Sequence, residues 1–334
     1  MTTTSRTTDD SPAVRLRGLR RTYGTGESAF EAVRGVDLDV ARGSVVALLG
    51  TNGAGKTSLL EVVEGLAPAS AGSVEVLGLD PVADRAKVRR RTGVLLQRSG
   101  FAADLTVRET LELWAATLSN PRPVSDGLAM LDLAGRADTR VGALSGGEQR
   151  RLDLSCTLLG DPELVLLDEP STGLDPESRQ RLWDLVRELR DAGRTVVLCT
   201  HHLEEAEALA DRIAIMHGGR IVRDGTAAQI TAERPSRVQF ATPVSAEPLP
   251  APEALGARHV HAEHGTTTVE TDDLQVTLGA LLGWATRHGV RLERLDARTA
   301  SLESVFLDIA RHPADDDPRT GPRPGDRALE GTAR

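Results

Sequence analysis

The run Gly50-Thr51-Asn52-Gly53-Ala54-Gly55-Lys56-Thr57 spaces two glycines five positions apart and closes on a lysine and a hydroxyl. Glycines at that spacing let successive backbone N–H groups converge on phosphate oxygens. Lys56 is then placed to reach the outer phosphates of a nucleoside triphosphate, and the Thr57 hydroxyl to ligate Mg²⁺. A second chemical segment is Leu164-Val165-Leu166-Leu167-Asp168-Glu169, an apolar run ending in two carboxylates. Beside a phosphate loop, the first acid is suited to hold Mg²⁺ and the second to take a proton from an attacking water. A third is Leu144-Ser145-Gly146-Gly147-Glu148, where serine caps a helix and two glycines expose backbone N–H groups. One nucleotide does not need two phosphate cradles. Two copies packed head to tail do, each offering Ser145 and Gly147 to the γ-phosphate held by the other.

These segments need elements to position them. Val45–Leu49 and Leu164–Leu167 are short continuous apolar runs, as expected of strands covered on both faces of a mainly parallel sheet. The first feeds directly into the glycine loop, and Ser58–Gly65 reads as the helix after it, the strand–loop–helix context the motif requires. Ala13–Arg17 alternates as a strand. Glu177–Ala192 carries Leu182, Leu185, Val186 and Leu189 at helical spacing, with Asp175 as N-cap, Pro176 at the first helical position and Gly193 as the stop. Strands alternating with helices in this way predict an α/β fold.

Composition sets the limits. The chain of 334 residues has room for two domains. Only four Phe, three Trp and one Tyr are present, so the core must be largely aliphatic. Forty Lys and Arg against forty-nine Asp and Glu leave a net charge of −9, and few rings are available to stack on bases. No nucleic-acid partner is expected. Two cysteines, Cys156 and Cys199, fit a reducing compartment and read as buried, inert thiols. No apolar run approaches the ~20 residues of a membrane-spanning helix, and the polar N-terminus lacks the apolar stretch of a secretory signal. A cytoplasmic protein is expected, with any membrane part supplied by another chain.

In motif order over about residues 13–230 the chain resembles the nucleotide-binding subunits of ABC transporters. The resemblance implies a P-loop NTPase core with a helical subdomain, and ATP hydrolysis with Mg²⁺. By it, ATP is bound by Tyr23, stacked on adenine, and by the loop Gly50, Thr51, Asn52, Gly53, Ala54, Gly55, Lys56 and Thr57 with Ser58. Mg²⁺ is held by Thr57, Gln97 and Asp168. Catalysis falls to Glu169 as base, His201 on the γ-phosphate, Gln97 and Lys56, while His202 is a bystander. Leu144, Ser145, Gly146, Gly147 and Glu148 form the signature that completes the opposite subunit's site, and Asp175 belongs to the loop touching that subunit. Thr51 stands where many relatives carry proline, at a position where only the backbone matters.

The organisation expected is a disordered lead over 1–12, an ATPase domain over 13–235 with its helical subdomain at about 98–155, and a proline-rich linker over 236–252. A small α+β domain follows over 253–312, then a disordered tail over 313–334. Within the small domain, Ala257–Ala262 and Thr266–Thr271 read as a hairpin, Leu274–His288 as a helix, Val290–Leu295 as a strand and Leu302–Ala310 as a helix. Leu302, Val305, Phe306 and Ile309 form a helical stripe that suits either a dimer seam or packing within their own domain. His259, His261 and His264 read as a solvated strand face rather than a metal site.

Thr200–Arg212 and Ser301–Asp308 resemble the daunorubicin-resistance branch, whose ATPase works as a homodimer with a separate ABC-2 type permease. That implies a motor on the inner face of the membrane, exporting drugs, antibiotics or lipid-like compounds. The alternatives are an importer ATPase, or a soluble ABC-type ATPase acting on ribosomes or DNA.

Overall fold

The computed structural model describes residues 11–97, 100–232, 234–243 and 248–311. In chain order the elements are β1 (Val14–Tyr23), β2 (Phe30–Val40), β3 (Val45–Leu49), α1 (Lys56–Val63), β4 (Ala71–Val76), α2 (Arg85–Arg89) and β5 (Thr92–Leu95). Three helices follow, α3 (Val107–Thr117), α4 (Val124–Met130) and α5 (Gly146–Leu158). The α/β pattern then resumes with β6 (Leu164–Asp168), α6 (Pro176–Asp191), β7 (Thr195–Thr200), α7 (Leu203–Leu209), β8 (Arg212–His217), β9 (Arg220–Gly225) and α8 (Ala227–Ala232). The C-terminal part comprises β10 (Ser236–Ala241), α9 (Pro252–Leu255), β11 (His259–Glu263), β12 (Thr266–Thr271), α10 (Leu274–Arg287), β13 (Asp296–Arg298) and α11 (Leu302–Arg311).

The main sheet has the order β5-β6-β7-β3-β8-β9, parallel except for the hairpin strand β9. Every residue of β3, β6 and β7 is buried, because helices or the second sheet cover both faces. That second sheet, β2-β1-β4, is antiparallel. Its alternating residues Val14, Leu16, Val36, Leu38 and Val76 share one aliphatic core with α1. Leu111, Leu128, Leu152 and Leu158 of α3–α5 pack with Leu182 and Val186 of α6 in a second core. The α6 helix starts on the Asp175 cap, whose carboxylate accepts from the Ser178 amide, with Pro176 at its first position.

A strand, β10, lies where the sequence suggests only a linker. Val238 and Phe240 alternate inward between Pro235 and Pro243, and β10 pairs with both β12 and β13. The accessory sheet, β11-β12-β10-β13, buries one face against Leu281, Trp284 and Ala285 of α10. The strand expected at Val290–Leu295 is corrected. Val290 and Leu292 pack on this core and the Glu293 carbonyl accepts from the Ala241 amide, but the strand ladder starts at Asp296, after a turn with Arg294 at φ +55°.

The stripe on α11 serves neither of its expected roles. Leu302 and Val305 are buried against Ala47, Leu49, Ile213 and Ile215 of the main sheet and Ile230 of α8, with Phe306 and Ile309 alongside. The last helix therefore belongs by packing to the ATPase core, and the Arg234–Asp308 ion pair fastens it there. Of the terminal segments expected to be disordered, residues 1–10 and 313–334 lie outside the described residues.

Candidate nucleotide site

The glycine loop connects β3 to α1, and its shape depends on missing side chains. Gly55 has φ +103°, and a Cβ there would stand 2.3 Å from the Ala32 carbonyl oxygen of β2. A Cβ on Gly50 would stand 2.5 Å from the Met216 carbonyl oxygen of β8. Two strands thus press the loop from opposite sides, and only glycine tolerates that approach. No side chain caps α1, so its first-turn amides retain donors for an anion. The Lys56 ammonium, buried at 7% exposure, donates to the carbonyls of Gly50 (2.7 Å) and Thr51 (3.3 Å).

The acidic pair meets this loop from the tip of β6. Thr57 Oγ1 donates to Asp168 Oδ2 at 3.4 Å. Asp168 Oδ1 is buried with no hydrogen-bond partner among the described residues. Burial, then the adjacent Glu169 charge, raises the Asp168 pKa. An open carboxylate oxygen beside a threonine hydroxyl is the oxygen-donor set that Mg²⁺ prefers, so the residues present fit the ion. Glu169, also buried, has one oxygen 3.8 Å from Lys56 Nζ and the other 2.6 Å from His201 Nδ1.

His202 lies closer to this centre than a bystander would. Its ring centroid is 4.1 Å from that of His201, and Glu169, His201 and His202 can bring one ligand atom each within 4.8 Å of one another. Burial, then the His201 charge, lowers the His202 pKa. His259 and His261 are exposed on β11, and they form no comparable group with His264 among the described residues. Both cysteines are free and buried, and burial pushes the Cys156 thiol up to about 12.

The remaining expected residues surround this centre at differing distances. The Tyr23 hydroxyl donates to Glu61 Oε2 (2.7 Å) and lies within hydrogen-bond reach of the Ser58 hydroxyl (3.1 Å), tying the end of β1 to α1. The Arg21 guanidinium carbon lies 4.6 Å from the Tyr23 ring centroid. Gln97 is exposed just beyond β5. Ser145 caps α5 and forms a reciprocal box with Glu148, whose carboxylate accepts from the Ser145 amide at 2.8 Å and from Arg136 at 2.7 Å. A Cβ on Gly147 would sit 3.3 Å from Ser178 Oγ and 3.7 Å from Asp175 Oδ2, so the signature glycines adjoin the Asp175 cap. Leu144 is buried beneath them. Among the described residues no hydrogen bond joins Ser145, Gly146 or Gly147 to the loop Gly50–Thr57.

Two residues that the motifs leave out also converge here. Arg150, on α5, donates to backbone carbonyls around Asp168 and Glu169. Glu205, on α7, is buried beside Thr200, Ser171 and Trp183, and burial raises its pKa. A charged residue at a helix position buried by tertiary packing is the signal that would have singled out either one.

Comparison with known proteins agrees with this geometry. Residues 33–172 match the ABC transporter family and residues 236–301 the C-terminal domain of ABC-transporter-domain-containing proteins. The chain is 36% identical to the daunorubicin resistance ATP-binding protein DrrA3 of Streptomyces coeruleorubidus over 89% of its own length and 95% of the relative's. It belongs to the ABC transporter ATP-binding family.

The same ABC ATPase is 34% identical to the Nod factor export ATP-binding protein I of Ralstonia nicotianae, over 89% of this chain and 93% of that one. Among solved structures, it resembles an ATP-binding cassette described as a dimer in a post-hydrolysis state bound to ADP and Pi. That likeness has a TM-score of 0.59 and 25% identity, and covers 64% of this chain and 98% of that one. The P-loop ATPase fold and ATP hydrolysis follow from this membership. No helix among the described residues is long and apolar enough to cross a membrane.

Proposed function

We propose that this ABC ATPase is the motor of an exporter, closing as a homodimer on two ATP molecules to drive a separate ABC-2 type permease. The observation that carries the reading is the convergence of Lys56, Thr57, Asp168, Glu169 and His201 at one loop to which, among the described residues, Ser145–Gly147 makes no hydrogen bond. A cap that does not serve its own loop is free to serve a second copy's γ-phosphate. Tyr23 offers a ring to adenine, and Lys56 holds the outer phosphates. Mg²⁺, when bound, would neutralise phosphate charge, held by Thr57 and Asp168 with Gln97 nearby. Glu169 accepts the proton of the attacking water, and His201, hydrogen-bonded to that carboxylate, orients toward the γ-phosphate.

The permease has a suitable dock. A groove of about 900 Å³ opens between the main sheet and the helical subdomain, lined by Leu66, Val88, Leu96, Trp114 and Leu118. Leu96, directly before Gln97, and Trp114 of α3 are exposed there, so a membrane partner seated in the groove would sense Gln97. Relatives named for daunorubicin resistance and Nod factor export support a cargo among drugs, antibiotics or lipid-like compounds. In this reading the docked chain works at the cytoplasmic face of the membrane.

Glu169→Gln tests the reading. ATP affinity should be retained, turnover should fall at least about 100-fold, and a closed dimer should accumulate on size exclusion with ATP. Near-normal turnover would refute the assigned base. A dimer that does not form with ATP would refute the shared-site arrangement.

A further inference from the structure

Arg150 carries a charge into a part of the molecule that is otherwise dry. It sits on α5 just past the Ser145–Glu148 box and is 7% exposed. Its guanidinium donates to four backbone carbonyls in two separate segments. Nε reaches Pro170 at 3.1 Å, one terminal nitrogen reaches both Asp168 and Glu169 at 3.0 Å, and the other reaches Leu96 at 2.7 Å. Asp153, one helical turn on, lies 3.6 Å away and balances the charge.

The carbonyls so held belong to the turn that aims the hydrolytic groups. Glu169 has φ +48°, a left-handed conformation that a residue with a Cβ adopts only when its surroundings hold it there. Arg150 grips the carbonyl before that residue, its own, and the one after it. Its fourth bond, to Leu96, holds the chain at the point where it enters Gln97. Only a planar fork with several fixed donors can span these acceptors, and a lysine ammonium cannot.

We propose that Arg150 is a positioning residue for hydrolysis, setting the Glu169 turn and the entry to Gln97 with one buried cation. It acts through backbone carbonyls and ties the signature helix to the turn that carries the carboxylates of its own chain. The inference rests on the reading of Glu169 as the base.

The test is a kinetic cycle on the full chain with R150K, R150M, E169Q and the double variant E169Q/R150K, with ATP affinity measured separately by equilibrium binding. R150K should lower kcat about 10-fold and R150M about 100-fold, with ATP affinity unchanged. The double variant should be no slower than E169Q alone, because both changes disable one group. If R150M fails to fold, R150K carries the test. A kcat for R150K within twofold of the wild type, a multiplicative loss in the double variant, or a loss confined to ATP affinity would each overturn the proposal. Normal turnover by E169Q would overturn the base assignment and this proposal with it, whereas an inactive E169Q beside an active R150K overturns this one alone.

Discussion

The six-stranded main sheet and the four-stranded accessory sheet differ in what covers them. Strands β3, β6 and β7 are buried on both faces, so their tips are held by packing from all sides, and Gly50–Thr57, Asp168–Glu169 and His201 all sit at those tips. In the accessory sheet, β11 is almost wholly exposed, and one face of the sheet rests on Leu281 and Trp284. The buried aromatics are divided the same way. Phe240 and Trp284 fill the small core, whereas the buried residues of the three ATPase-domain cores are aliphatic apart from Cys and Met. Short strands of β-branched residues and leucine, covered on two sides, can hold a reactive turn in a costly conformation. A small one-sided sheet depends on a few large rings for its cohesion.

Substituting glycines in the two regions should give the largest contrast. Gly55→Ala forces a Cβ against the Ala32 carbonyl at positive φ. The cost should be about 4 kcal/mol, with nucleotide affinity lost by more than ~100-fold. Gly265→Ala, also at positive φ but with nothing within 4 Å of its Cβ, should cost about 1 kcal/mol and leave ATP binding intact. Thermal unfolding and nucleotide titration measure both, and equal effects would abolish the distinction drawn here.

The division can be sharpened at α11. Leu302→Ala should destabilise the ATPase domain, not the accessory domain, by about 3 kcal/mol, since its side chain is fully buried against the main sheet. Differential scanning calorimetry with and without ATP separates the two: the transition shifted by ATP should be the one the substitution lowers.

A smaller effect concerns Glu64, just after α1. Burial, followed by the charges of Asp168 and Glu61, pushes its carboxyl up to about 7. The folded chain therefore holds a proton there that the unfolded chain releases at ordinary carboxylate pH. Stability falls as pH rises through that window, and the full penalty is reached above about 7. Glu64→Gln should stabilise the nucleotide-free protein by at most about 3 kcal/mol at pH 8 and leave it unchanged at pH 4. Denaturant unfolding at the two pH values checks it, and a gain at pH 4 would show a cause other than ionisation.

Much of this was legible from local pattern. The Asp175 and Ser145 caps, the β11–β12 hairpin and the start of α10 depend on contacts within a few residues, and the glycine loop at Gly50 announces itself by residue type and spacing. The strand β10 was obscured because Pro235 and Pro243 flank a six-residue alternation and make it resemble a linker. The segment Val290–Leu295 misled in the opposite direction: Val290 and Leu292 are half-buried by packing outside any strand, and Leu295 is exposed. The destination of α11 could not be read from its stripe, because an apolar face says that something covers it and not what does.

By itself the sequence determined the chemistry: which residues could cradle phosphate, bind an ion and accept a proton, and that the fold alternates strand and helix. Residue type and short-range spacing suffice for that, since a glycine's freedom or a carboxylate's basicity is carried by the residue. Only the tertiary structure decided that Arg150 grips the Glu169 turn, that His202 stands against His201, and that the final helix closes the ATPase core. The first and last of these join segments tens to hundreds of residues apart, and such contacts are selected by the packing of whole faces, which no local spacing records.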